Sequence, residues 1–296
     1  MGPNDLRHTE FKMEKIGMPR FSFFPKWVQR LFAVLTWVVY AFVFYHFLVS
    51  PFSLRWKGLY GGTYPQGYSI RGIDISHYQG KVDWNRLKNA VLDGEPVSFV
   101  IIKATEGTDF LDENYKENIH NARNAGFICG AYHFFLPSES PRLQAEYYIQ
   151  HSGLQNGDFP PVLDIEHEGN LSPEAIHSAA LEWLQIVEKH YGIKPIIYTN
   201  YKFKMAYLND SVMNTYPYWI AHYYVDSLKY QGEWKLWQYT DNGNLDGISG
   251  HVDYNLYNGS MYDLYKFLIG HREDNEYPIT AEEQPDSLIT LKQEEE

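Results

Sequence analysis

The sequence is poor in cysteine and has fewer basic than acidic residues. Its single cysteine, Cys129, excludes an intramolecular disulfide and a cysteine-rich zinc site. The chain carries 25 Lys and Arg against 37 Asp and Glu, a formal net charge of −12. Nucleic-acid-binding domains normally present a basic patch, so this balance argues against a nucleic-acid partner. Cys129 lies in an apolar run and is predicted to be a small buried core residue.

Charged residues are missing altogether from one stretch near the N-terminus. None of the 24 residues between Arg30 and Arg55 is Lys, Arg, Asp or Glu. Residues 31–50 are long enough to cross about 30 Å of hydrocarbon as a helix. A cleavable signal peptide would be shorter and followed by an A-x-A site, which is missing here. A buried helix of a globular domain is disfavoured by an uncharged run of 24 residues with no polar face, so we predict a transmembrane helix over residues 31–50.

The distribution of charge predicts how this helix is oriented and how the chain is divided. Residues 1–30 carry six Lys and Arg against three Asp and Glu. The positive-inside rule therefore places them in the cytoplasm and the rest of the chain in the periplasm or outside the cell. Residues 51–68 are glycine-rich and predict a linker, and residues 69–270 form the main domain. Residues 271–296 carry nine acidic against two basic residues and predict a disordered tail.

Short β-rich runs alternate with helix-like runs through the main domain, which predicts an α/β fold with a mostly parallel sheet. The later runs have short connections without room for helices. This favours an incomplete, irregular β/α barrel over an open doubly wound sheet, for which a Gly-rich phosphate loop is missing. Strands are predicted at 70–75, 98–103, 128–135, 162–166, 195–199, 218–221, 235–239 and 249–253. Helices are predicted at 83–92, 114–125, 142–152 and 173–191.

Acidic residues stand at the ends of three predicted strands. Asp164 and Glu166 alternate with aliphatic residues, and positions i and i+2 of a strand share one face. Asp74 and Asp253 have similar places in the first and last strands. The carboxyl ends of barrel strands carry catalytic groups, so the four acids are expected together. Crowding raises the pKa of at least one of them, and a protonated carboxyl can donate to a leaving glycosidic oxygen.

Two other interpretations of these acids stay open on the residues alone. Each acid could cap a helix or close a loop. A metal site is the second alternative, because spacing alone allows His133, Asp164, Glu166 and His167 to provide nitrogen and oxygen ligands.

Nine short segments occur in one order over about 200 residues, and together they resemble the glycoside hydrolase family 25 lysozymes, the Chalaropsis-type muramidases. The segments are RGIDISHYQG at 71–80, DW at 83–84, FVIIKATEG at 99–107, GAYHF at 130–134, LDIE at 163–166, PIIYT at 195–199, WIA at 219–221, WQY at 237–239 and VD at 252–253.

The resemblance implies a (β/α)5β3 barrel that hydrolyses the β-1,4 bond between N-acetylmuramic acid and N-acetylglucosamine in peptidoglycan, without a cofactor or metal. It marks Glu166 as the general acid/base and Asp74, Asp164 and Asp253 as further active-site acids. The family is retaining, and the nucleophile is either an Asp or the acetamido group of the substrate. We favour the acetamido group, oriented by Asp164, with Asp74 and Asp253 holding the sugar and tuning Glu166.

The resemblance also extends to residues that would contact the substrate. Tyr132, Tyr198, Trp219 and Gln238 match positions that line the family's cleft. His133 and Lys103 are also expected to bind substrate, although an ion pair of Lys103 with Glu106 would serve structure alone.

The leading hypothesis is a membrane-anchored lysozyme with a monomeric catalytic domain that acts on glycan strands of the cell wall. One alternative is a non-catalytic glycan-binding module on the same barrel. Another is a metal-dependent polysaccharide hydrolase or deacetylase.

Overall fold

A computed structural model describes residues 25–45, 65–230 and 232–271. Most of the predicted N-terminal segment, the linker up to residue 64 and the acidic tail from residue 272 lie outside the described residues.

The first described element is one long apolar helix, α1 (Lys26–Phe44), which begins directly after Pro25. It has no buried residue, and an 18-residue window within it has a mean hydropathy of 1.6. Among the described residues it is the one helix that is long and apolar enough to cross a membrane. It begins before residue 31, where the prediction started, because Lys26 to Arg30 continue the helix.

The main domain is built on a closed sheet of eight strands, which confirms the expected mixed α/β fold with a barrel-like sheet. β1 pairs with β3 on one side and with β10 on the other, and this double pairing closes the sheet. Two short strands, β2 and β4, pair only with β3. The strands are β1 (Arg71–Ile75), β2 (Val91–Leu92), β3 (Glu95–Glu106), β4 (Phe110–Leu111), β5 (Ile128–Phe134), β6 (Val162–Asp164), β7 (Ile196–Asn200), β8 (Tyr218–Ala221), β9 (Leu236–Gly243) and β10 (Val252–Tyr257).

The last strand runs in the opposite direction to the rest of the barrel. β10 is antiparallel to both β1 and β9, whereas the other barrel pairings are parallel. The sequence placed the last strand at 249–253 with Asp253 at its carboxyl end, and this was wrong. Asp253 stands near the start of β10, opposite Asp74. It reaches the edge formed by the carboxyl ends of the other strands because its own strand is reversed.

The helices of the main domain follow the first five barrel strands, and one closes the described chain. They are α2 (Trp84–Leu87), α3 (Tyr115–Ala125), α4 (Pro141–Ser152), α5 (Pro173–Tyr191), α6 (Tyr201–Tyr207) and α7 (Met261–Phe267).

One helix prediction needs correction, and two helices were not predicted. The helix expected at 83–92 ends at Leu87, because Val91 and Leu92 enter a hairpin instead. Its turn residues Asp93 and Gly94 have φ angles of 52° and 91°, as a two-residue hairpin turn requires. The sequence predicted no helix at α6 or α7, which have only seven residues each.

Successive side chains of a strand point to opposite faces of the sheet, so the apolar side chains form two separate regions. One lies between the sheet and the helices and contains Leu163, Ile165 and Trp183. The other lies inside the barrel and contains Phe99, Val162 and Leu236, which stand near the starts of their strands. Inside the barrel, the Phe99 ring covers Gly72 so closely that a Cβ there would lie 2.3 Å from the ring. The amino-terminal end of the barrel is thus filled with apolar side chains, and polar inward positions occur at its other end.

Candidate active site

A cavity of about 290 Å³ opens at the end of the barrel where the parallel strands finish. The inward positions of β1, β3, β6 and β10 bring Asp74, Lys103, Asp164 and Asp253 to its wall. Glu166, two residues beyond Asp164, also lines it. The four acids that the sequence predicted to lie together are therefore brought to one cavity. Nine of the ten predicted site residues line it: Asp74, Lys103, Tyr132, Asp164, Glu166, Tyr198, Trp219, Gln238 and Asp253.

Asp74 is buried and held by two side-chain amides. Its Oδ1 accepts a hydrogen bond from Gln238 Nε2 at 2.8 Å and another from Asn255 Nδ2 at 2.6 Å. Burial raises the pKa of Asp74 to about 6, although these hydrogen bonds oppose the shift.

Asp253 shares a hydrogen bond with Asp74, so two carboxyl groups meet in a site that is shielded from water. Burial, followed by repulsion from Asp74, raises the pKa of Asp253 to about 9. At neutral pH Asp253 therefore keeps its proton and can donate it towards Asp74.

Asp164 and Glu166 form a second pair of acids. Burial is the main cause that raises the pKa of both, and repulsion from Glu166 adds to the shift of Asp164. Asp164 Oδ1 is buried and has no hydrogen-bond partner among the described residues, whereas Glu166 is only partly buried. The pair thus provides a carboxyl oxygen free to accept a hydrogen bond and a second carboxyl that holds a proton above its ordinary pH range.

Lys103 is paired within the protein. Its Nζ lies 2.5 Å from Glu106 Oε2 and sits over the rings of Phe110 and Phe134. It also lies near enough to Asp164 to lower the pKa of that carboxyl. The structural ion pair weighed from the sequence is therefore formed, and its ammonium group still borders the cavity.

His133 does not line the cavity, although the sequence predicted that it binds substrate. Tyr132 and Phe134 line the cavity, so the residue between them on β5 faces the helices. His133 is fully buried there. Its Nδ1 lies 2.8 Å from Thr105 Oγ1, and its Nε2 lies 3.1 Å from Gln144 Oε1. Burial lowers its pKa to about 3.

The metal ligand set considered from the sequence is not assembled, because His133 lies on the helix side of the sheet and Asp164 on the cavity side. In the parts of the chain that the structure describes, no three His, Cys, Asp or Glu side chains form a group suited to a metal ion.

Aromatic side chains and amides form the rest of the wall. Tyr198 OH and Tyr223 OH each donate to Gln238 Oε1, at 2.7 and 2.6 Å. Trp219 Nε1 donates to Asn255 Oδ1 at 2.8 Å. The amides that hold Asp74 are thereby held in turn by three aromatic residues.

Sequence analysis missed Asn255 and Tyr223. Asn255 lies two residues after Asp253 on β10 and therefore shares its face, the same spacing that paired Asp164 with Glu166. The prediction missed it because the last strand was ended at residue 253. Tyr223 lies in the irregular connection after β8, where no periodicity marks it.

Comparisons with known proteins agree with this arrangement. The model of the family "Glycosyl hydrolases family 25" matches residues 73–248, which contain Asp74, Asp164 and Glu166 but end before Asp253. "Uncharacterized protein YegX" of Escherichia coli (strain K12) is 40% identical over 210 residues, 71% of this chain and 77% of that protein. "Lysozyme M1" of Streptomyces globisporus is 34% identical over 66% of this chain and 70% of that protein.

The fold is also that of solved structures of the family. The crystal structure of the bacterial lysozyme from Streptomyces coelicolor superposes with a TM-score of 0.63 and 34% identity. The match covers 68% of this chain and 98% of that chain. The family match, the relatives and the cluster of carboxyl groups in the barrel agree: the chain belongs to glycosyl hydrolase family 25 and is a glycoside hydrolase.

Proposed function

We propose that this protein is a membrane-anchored N-acetylmuramidase that hydrolyses the β-1,4 bond between N-acetylmuramic acid and N-acetylglucosamine in peptidoglycan. The observation that carries the proposal is a pair of carboxyl groups. Glu166 is partly buried and has a raised pKa, and the buried Oδ1 of Asp164 has no hydrogen-bond partner within the described part of the chain. Relatives named as lysozymes support peptidoglycan as the substrate.

Glu166 is the general acid in this proposal. Burial raises the pKa of Glu166 above that of an exposed glutamate, which favours the protonated form that a general acid needs. It transfers that proton to the glycosidic oxygen as the bond to the sugar C1 breaks, and it becomes a carboxylate. The same carboxylate then takes a proton from the water that attacks C1, which restores the starting state.

Asp164 orients the nucleophile. The acetamido oxygen of N-acetylmuramic acid attacks C1 while the leaving oxygen departs with the proton of Glu166, and the net configuration is retained after water attacks. The acetamido N–H needs an acceptor that stabilises the positive charge forming on this group. Asp164 Oδ1 is such an acceptor, and binding that N–H favours the ionised form of the carboxyl.

Asp74 and Asp253 are proposed to hold the sugar and to tune Glu166, since the charge of Glu166 adds to the raised pKa of both. The negative charge of Asp74 raises the pKa of Asp253 and adds to the raised pKa of Asp164. Tyr132, Tyr198, Trp219 and Gln238 shape the wall against which the sugar lies, and Lys103 offsets part of the negative charge at Asp164.

We assign α1 as a single-pass anchor, with the N-terminus cytoplasmic and the barrel periplasmic or extracellular. The apolar composition of α1 and the excess of Lys and Arg in residues 1–30 support this topology. The catalytic domain extends over about residues 69–270, works as a monomer and is followed by the acidic tail.

The products of peptidoglycan digestion test the proposed reaction against its alternatives. The full chain in detergent is incubated with purified peptidoglycan, and the fragments are analysed by mass. We expect fragments that end in reducing N-acetylmuramic acid. Release of acetate without chain cleavage would indicate a deacetylase, and binding without release would indicate a glycan-binding module.

A matched substrate tests the proposed nucleophile. Peptidoglycan whose muramic acid residues have lost their N-acetyl groups is compared with the same material after chemical reacetylation. We expect the deacetylated strands to resist cleavage and the reacetylated strands to be cut. Equal cleavage of both would assign the nucleophile to an Asp carboxylate.

A further inference from the structure

The orientation of the Asn255 amide is fixed by chemistry. An indole N–H can only donate a hydrogen bond, so the atom of Asn255 that faces Trp219 Nε1 at 2.8 Å must be its oxygen. The NH2 group of Asn255 therefore faces Asp74 Oδ1 at 2.6 Å. The Asn255 side chain is fully buried, so water does not compete for either contact.

Both hydrogen bonds to Asp74 reach the same oxygen. Gln238 donates to Asp74 Oδ1 from a second direction, with its own oxygen occupied by Tyr198 and Tyr223. Two N–H donors use the acceptor capacity of Oδ1, so this oxygen is not the place where a proton binds. Donors of this kind favour the ionised carboxylate.

Among the residues that the structure describes, no side-chain amide donates a hydrogen bond to the Asp253 carboxyl. Its hydrogen bond to Asp74 raises its pKa, whereas the hydrogen bonds from Asn255 and Gln238 lower that of Asp74. Asn255 Nδ2 donates to Asp74 Oδ1 at 2.6 Å and lies 3.4 Å from the backbone carbonyl of Asp253. Asp74 and Asp253 therefore differ in how readily they lose a proton, although they form one pair.

We propose that Asn255, locked by the indole of Trp219, is a positioning residue that keeps Asp74 the ionised member of its pair with Asp253. This inference rests on the proposed function, in which an ionised Asp74 is part of the working cleft. Asn255 itself lies behind Asp74, does not line the cavity and acts through that carboxyl.

Other titratable groups line the same cavity as Asp74. They are Asp253 on β10, Asp164 and Glu166 at β6, Lys103 on β3, Tyr132 on β5, Tyr198 on β7, Tyr223 after β8 and Asp241 on β9.

The pH profile of the Asn255→Leu variant tests the proposal on the full chain. Loss of one donor lets Asp74 hold its proton to higher pH, so the acid limb of kcat/KM moves to higher pH by about one unit. The matched control is Asn118→Leu, the same change at another buried position, on the outer helix α3. The control keeps the wild-type limb. A lower rate with an unmoved acid limb in Asn255→Leu would overturn the proposal.

Asn255→Asp keeps the test decisive if the leucine variant does not fold. Below its own pKa the new carboxyl is protonated and can donate to Asp74 as the amide does, and above that pKa it cannot. We expect the ratio of variant to wild-type kcat/KM to fall at least tenfold, the effect of about one pH unit, between pH 5 and pH 8. A constant ratio would assign Asn255 a purely structural role.

Thermal unfolding separates failure of this inference from failure of the proposed function. If the wild type cleaves no peptidoglycan, the proposed function falls, but the bond from Asn255 to ionised Asp74 still contributes to stability. Asn255→Leu then lowers Tm more at pH 8, where Asp74 is ionised, than at pH 4. An equal lowering at both values would overturn the inference.

Discussion

Asp253 shows how a single buried carboxyl links stability to the active site. In the unfolded chain an aspartate loses its proton near pH 4, whereas the folded environment holds the pKa of Asp253 at about 9. The folded state therefore binds more protons than the unfolded state between these values. The contribution of the Asp253 carboxyl to the free energy of unfolding is fully present below about pH 4 and is lost as pH rises through about 9.

Asp253→Asn is expected to stabilise the protein at alkaline pH while lowering its activity. Asparagine cannot ionise and can still donate towards Asp74. The free energy of unfolding should rise by about 1–2 kcal/mol at pH 8 and change little at pH 4. Chemical unfolding at the two pH values measures this difference. A gain of the same size at both would contradict the account of Asp253 as a proton-bearing acid.

At the scale of elements, β1 and β3 pack so closely that one position admits only glycine. The Phe99 ring of β3 lies on Gly72 of β1, and a Cβ there would be 2.3 Å from a ring atom. Gly72→Ala should therefore displace Phe99 and destabilise the barrel by about 1–3 kcal/mol.

Gly153→Ala is not a suitable comparison for this effect because Gly153 has a left-handed backbone, with φ 54°. Phe99→Leu in the Gly72→Ala background is more informative, because a smaller side chain relieves the clash. If the double variant is no more stable than Gly72→Ala alone, the destabilisation has another cause. Urea unfolding of the wild type, Gly72→Ala and the double variant measures the change in stability.

The strands of the barrel were predictable because their apolar and acidic residues alternate. That alternation placed Asp164 and Glu166 together, and it also accounts for the outward direction of His133 between Tyr132 and Phe134. The prediction for His133 failed because motif matching ignored this alternation. The antiparallel direction of β10 was not predictable, since direction depends on pairing with β1 and β9 rather than on local pattern. The missed helices α6 and α7 are too short for a clear helical period.

For the whole molecule, we propose that the barrel is the catalytic part and that α1 is the anchor. A shortened chain that begins at Gly67 should be soluble and active, whereas the full chain should require detergent for extraction from membranes. Fractionation of cells that express each chain measures this, with cleavage of peptidoglycan as the readout. Recovery of the shortened chain only in the membrane fraction would contradict the role given to α1.

The residue at which a shortened chain begins should also affect the stability of the barrel. Arg71 is buried and donates from Nη2 to the Pro65 carbonyl at 2.6 Å, and the structure describes no hydrogen-bond partner for its Nε and Nη1 in residues 65–230 and 232–271. A chain that begins at Gly67 loses that acceptor. It should be less stable than a chain that begins at Pro65 by about 1–3 kcal/mol. Thermal unfolding of the two chains side by side tests this, and equal Tm values would contradict it.

The most direct test of the whole account is digestion of purified peptidoglycan by the wild type and by Glu166→Gln, with mass analysis of the new chain ends. Glutamine keeps the size and polarity of the side chain but has no proton to donate at this step. The account predicts reducing-end N-acetylmuramic acid from the wild type, a loss of at least about 10²-fold in kcat for the variant and unchanged binding to peptidoglycan. Turnover by Glu166→Gln at the wild-type rate would contradict the central claim.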